Sequence, residues 1–262
     1  MGELRKPFFI GAVALILIAV AIEVGATWFL GGVRAKADHL TSVLDDPSFS
    51  DYQGAINPAD MEKLNKGTPP GRAIPAMAVL DGLVLFTVVL MGAPLFIPER
   101  IFAKVQGVAT LVVSLLALIG SITGIFLTFA LLILMVALFT AFPFGTIVYL
   151  IIFGFFDRTG ANVTLSLLMM LKLAFAACLI LAHQRFIQNL AHQRFIQNKG
   201  LVLIVLTSLA ANIIISFSHA IVPVPLVSIT DGIAAIVVFV LVVLWAAFFL
   251  VGSIVAVTKA VA

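Results

Sequence analysis

The sequence predicts an all-α integral membrane protein: one polytopic transmembrane helix bundle of six or seven segments, spanning residues 1–262 as a single domain. Three observations predict it. Of the 262 residues, 63% are hydrophobic and only 10% are charged, where a soluble domain averages about 45–50% apolar and about 25% charged. Mean hydropathy is +1.24, which implies more apolar surface than a soluble globule of this size can bury. The apolar residues also fall in runs of about 20 or more, the length of one bilayer crossing.

The first run is Phe8–Leu30, interrupted by Glu23, with Trp28 near its end, where an amphipathic ring suits the interface. Arg5 and Lys6 precede it as in a secretory signal, but a signal core takes about 7–15 residues. The run is longer, so it is read as a retained first span. Residues 31–73 form the one long polar loop. It carries Arg34, Lys36, Lys63, Lys66 and Arg72 against Asp38, Asp45, Asp46, Asp51, Asp60 and Glu62. Asn57 as cap, Pro58 in the first turn and Gly67 as stop predict a short helix near 58–66.

The second span is Ile74–Ile97, with Asp81 inside and Pro94 and Pro98 breaking its far end. After Glu99, Arg100 and Lys104, the stretch Val105–Phe156 carries no charge over 52 residues. That is more than one crossing needs. Gly120–Gly124 and Phe142–Gly145 are its two candidate turns, and neither divides it evenly. Two full spans, or one long helix with a re-entrant or broken segment, both satisfy the pattern. Gly120 and Gly124 also fit a close helix-packing face.

Asp157–Gly160 reads as a polar turn, and Ala161–Ala182 as a span with Lys172 at its middle. The segment LAHQRFIQN then occurs twice, at Leu181–Asn189 and Leu190–Asn198. Nine residues at 100° each amount to two and a half turns, so equivalent residues of helical copies face opposite ways. A duplication without its own role is the plainest reading. Arg185, Arg194 and Lys199 there suit anionic lipid head groups. Leu201–Phe217 follows as a span containing Asn212. Val222–Pro225 is a stiff link, and Thr230 or Asp231 is placed to cap a last helix over Gly232–Val257.

The motifs exclude more than they identify. Cys178 is the single cysteine, so no intrachain disulfide or cysteine metal site forms. A net charge of +3 with scattered bases gives no nucleic-acid signature. No HExxH, GxSxG or Walker motif appears, and the acids Asp45, Asp46 and Asp51 lack the glycine and terminal glutamate of a calcium loop. No metal or cofactor is implied, and the balance is against an enzyme.

Three ionisable residues interrupt spans: Glu23, Asp81 and Lys172. Glu23 lies seven residues before Leu30 and Asp81 seven after Ile74. In antiparallel neighbouring spans they therefore share one depth, about 10 Å below the loop-side surface. A charge at membrane depth costs about 2.5–3.5 kcal/mol on insertion scales, so it turns inward and seeks a partner. On the first span Ala12, Ile16, Ala19, Glu23 and Ala26 share a face; on the second Ile74, Ala78, Asp81, Leu85, Val88 and Gly92 do. Pairing with Lys172 predicts either a structural clamp, the plainer reading, or a proton or cation relay. Asn212 is expected to hydrogen-bond between helices, and Ser121, Thr123 and Thr128 to bond back to their own helix.

The function expected from this pattern is a structural or accessory subunit of a membrane protein complex. The alternative is a small secondary transporter or proton/cation conduit using Glu23, Asp81 and Lys172. The implied partners are the lipid bilayer and other membrane subunits or a second copy, in a membrane of the bacterial cytoplasmic type.

Overall fold

The computed structural model describes residues 6–28, 73–93, 99–150, 153, 158–182 and 195–261. Among these the protein is all helix with no strand. The helices are α1 (Lys6–Trp28), α2 (Ala73–Gly92), α3 (Glu99–Thr140), α4 (Phe144–Tyr149), α5 (Arg158–Ala182), α6 (Phe195–Ile221) and α7 (Val224–Val261). Six of them, all but α4, are long and apolar enough to cross a bilayer. Helices suit that solvent because each satisfies its own backbone groups. The short helix expected near 58–66, with the rest of the 31–72 loop, lies outside the described residues.

α2 is the central element. It packs on α1, α6 and α7 and touches α3, leaving Val89 exposed. α1 also packs on α5, and α5 on α6. The face of α1 read from spacing is its buried one: Ala12, Ile16, Ala19, Glu23 and Ala26 are all enclosed. Near the end of α2, Gly92 makes room for α1. A Cβ there would lie 2.2 Å from the Phe9 ring.

The 52-residue run resolves as one long helix and a short return. Gly120–Gly124 is not a turn; it lies within α3. Gly124 is instead a packing contact, where a Cβ would meet the Phe239 ring of α7 at 2.6 Å. The reversal occurs at Ala141–Pro143, where proline ends the helical hydrogen bonding. The Phe142–Pro143 peptide bond is cis. Gly145 then folds back onto α3: its N–H donates to the Ala141 carbonyl at 2.7 Å, and a Cβ would lie 2.8 Å from the Leu138 carbonyl oxygen. Thr146 Oγ1 donates to the Phe139 carbonyl at 2.9 Å. Tyr149 docks edge-on against Phe139, and its hydroxyl donates to the Pro225 carbonyl at the start of α7. Met135, Tyr149 and Phe153 form a small second core there, apart from the main one.

Two boundaries move from the sequence reading. α6 begins at Phe195, inside the second LAHQRFIQN copy, rather than at Leu201. α7 begins at Val224 rather than Gly232. Pro225 falls in its first turn, where a missing N–H costs nothing. Thr230 is thus inside the helix, and its hydroxyl bonds back to the Val227 carbonyl at 2.9 Å.

Candidate functional site: an intramembrane ion-pair cluster

Lys172 reaches from α5 to both carboxylates. Its Nζ lies 2.6 Å from Asp81 Oδ2 and 3.3 Å from Glu23 Oε1. Glu23 and Asp81 are fully buried, and Lys172 is 1% exposed. The geometry follows from the helix register. Antiparallel α1 and α2 set the acids at one depth, and α5 presents the ammonium between them. Ser208 of α6 donates to the other Asp81 oxygen, Oδ1. Four helices therefore meet at one polar point inside an apolar bundle.

The cost of burial explains why the groups gather. Each buried ion loses several kcal/mol of hydration, which only close pairing and added hydrogen bonds offset. Asp81 receives both the shorter ion pair and the serine hydroxyl. The cluster is electrically neutral only when one of its two carboxyl groups carries a proton.

The other expected residues fall as follows. Asn212 is fully buried one turn beyond Ser208 on α6. Its Nδ2 donates to the Leu165 carbonyl of α5 at 3.2 Å, while its Oδ1 has no hydrogen-bond partner. Ser121 is buried on α3 with no partner for its hydroxyl, rather than bonded back to its helix. Cys178 is half-buried on α5. Arg185 and Arg194 lie outside the described residues. Lys199 lies on the first turns of α6, and its side chain is likewise not described. Among the described residues, no group of three His, Cys, Asp or Glu is arranged to hold a metal ion.

One polar pair escaped the sequence reading. His219 Nε2 lies 2.9 Å from Asp231 Oδ1, both groups buried. Asp231 does not cap its own helix. Its Oδ2 accepts the N–H of Ala73, the first residue of α2, at 3.1 Å. A carboxylate at a helix N-terminus satisfies an open donor and meets the positive end of the dipole. The register gave only a loose signal: His219 lies three residues before the Val222–Pro225 link and Asp231 six after it, so the antiparallel α6–α7 hairpin brings them near one another without counting alone placing them level.

Fold and site together define a multi-pass integral membrane protein with a buried charge cluster in its core. No protein-family model, curated protein or solved structure matches the chain.

Proposed function

We propose that the protein is a structural or accessory subunit of a membrane protein complex, with the Lys172 cluster clamping its bundle. One observation carries this reading: the length of α3. Its span covers 36 residues, Val105–Thr140, or about 54 Å at 1.5 Å per residue. The hydrocarbon core is about 30 Å thick. Even at a tilt of about 40°, the upper end of the usual range, α3 rises about 41 Å. Its partner α7 has a 32-residue span, about 48 Å long. Apolar surface thus continues about 11 Å past the hydrocarbon core, ending in Phe142 (84% exposed) and Phe144 (68%). Apolar surface outside the hydrocarbon calls for a protein cover.

Six crossings bear on orientation. They put Arg5, Lys6, Arg100, Lys104, Arg185, Arg194, Lys199 and Lys259 on one face, and Arg34, Lys36, Lys63, Lys66, Arg72 and Arg158 on the other. The positive-inside rule then favours a cytoplasmic N-terminus, in a membrane of the bacterial cytoplasmic type.

Purification in mild detergent tests the subunit reading. A stoichiometric companion polypeptide supports it, and a solitary monomer contradicts it. The cluster favours a second reading, a small transporter or cation conduit, because two carboxylates face one ammonium at membrane depth. On that reading, Glu23→Gln or Asp81→Asn abolishes transport in proteoliposomes while the fold persists. As a clamp alone, the same changes leave partner binding intact.

A further inference from the structure

The polar side chains inside the bundle are distributed unevenly about the cluster. Toward the N-terminal end of α2, helix α6 presents Ser208, Asn212, Ser216 and His219. At 100° per residue they lie within about 80° of one another, on one face. The stripe starts at the Asp81 carboxylate, which Ser208 touches, and ends at Asp231 beside the first residue of α2. Successive steps rise about 4.5–6 Å along the helix, a gap that side chains and one bridging water span. Asn212 Oδ1 and Ser216 Oγ have no hydrogen-bond partner and are open to such a bridge. Toward the opposite end α1, α2, α5 and α6 bury apolar residues, including Ala12, Ile16, Val84, Val88, Phe175 and Ile204, and the buried hydroxyls there, Ser114 of α3 and Ser253 of α7, donate to carbonyls of their own helices.

We infer that this face of α6 is a proton-loading path, and that the cluster binds and releases a proton through it from one side of the membrane only. That side is the one at the N-terminus of α2. A proton arriving as hydronium bonds to a lone pair of a Glu23 or Asp81 carboxylate oxygen, and water leaves. The cluster passes from a net charge of −1 to zero, and the covalent bonds of Lys172 are unchanged. The ionisable groups around it are counted from every packed helix. Glu23 comes from α1, Asp81 from α2, Lys172 and the Cys178 thiol from α5, His219 from α6 and Asp231 from α7. α3 offers no charged side chain between Val105 and Thr140. The inference goes beyond the subunit reading, since a bound proton requires no companion polypeptide, and a failure of either leaves the other standing.

The test is infrared spectroscopy of the full chain in lipid nanodiscs. The carboxylic C=O band is followed between about pH 5 and 8, and then during transfer to deuterated buffer. A band is expected that is lost in the E23Q/D81N double variant. Its hydrogen–deuterium exchange is expected to slow at least about tenfold in Asn212→Leu, a barrier rise of roughly 1.4 kcal/mol. Val88→Ala, on the apolar side, leaves the rate within about twofold. His219→Gln keeps a donor toward Asp231 but removes the second ring nitrogen, which could relay a proton; it slows exchange as well, and decides the matter if Asn212→Leu fails to fold. The inference is overturned if the double variant keeps the band, if no band appears, or if the α6 variants that fold exchange at the wild-type rate.

Discussion

Replacing Lys172 with methionine removes the cation that bridges Glu23 and Asp81 while keeping a long side chain in its place. Nζ lies 3.3 Å and 2.6 Å from the two carboxylate oxygens, so those oxygens are no more than about 6 Å apart. At an effective dielectric of about 20, two bare charges at that separation repel by about 3 kcal/mol. Breaking a buried ion pair by removing one partner costs about 3–5 kcal/mol in general, in agreement with that figure. For a chain of this size, each kcal/mol shifts Tm by about 2–4 °C. Lys172→Met should therefore lower Tm by roughly 6–20 °C, read by thermal unfolding in detergent or nanodiscs. The triple variant E23Q/D81N/K172M should recover most of the loss, because neutral groups of similar shape leave no buried charge uncompensated. A Lys172→Met protein that melts within about 2 °C of wild type, or a triple variant no more stable than it, would show that Lys172 does not hold the two carboxylates in place.

Asp81→Asn should destabilise more than Glu23→Gln, because Asp81 holds the shorter ion pair and accepts from Ser208; parallel melting curves check the order. Ser208→Ala should cost about 1.5–3 kcal/mol, the worth of a hydrogen bond to a charged group, seen as a lower denaturation midpoint. Gly92→Ala places a Cβ 2.2 Å from the buried Phe9 ring; it should cost about 1–3 kcal/mol, and adding Phe9→Leu should restore part of it. Asp231→Asn removes the charged acceptor of the α2 N-terminus and of His219. It should cost about 1–2 kcal/mol, with faster amide exchange at Ala73.

Periodicity and cost made much of this structure readable in advance. Glu23 and Asp81 are expensive in a bilayer, their depths match by counting, and Lys172 is the nearest remedy for both. The buried face of α1 follows from the same spacing. Gly120–Gly124 allowed either a turn or a close packing face, and Gly124 takes the second against Phe239 of α7, while a Cβ at Gly120 would meet nothing within 4 Å. What escaped depended on places where local rules compete. Asp231 resembles a cap for the helix that follows it. The chain enters α7 at Val224, straight after Pro223, so the carboxylate is left to serve the N-terminus of α2. His219 joined it through a hairpin register that depends on the exact link position, which the proline-rich sequence blurs.

We propose that the apolar ridge of α3 and α7, longer than the hydrocarbon core, is covered by a partner polypeptide. Native mass spectrometry of the protein released from its own membrane tests this most directly. A species heavier than the 27.9 kDa chain is expected, carrying a second polypeptide in fixed stoichiometry. A bare monomer with bound lipid alone would contradict it.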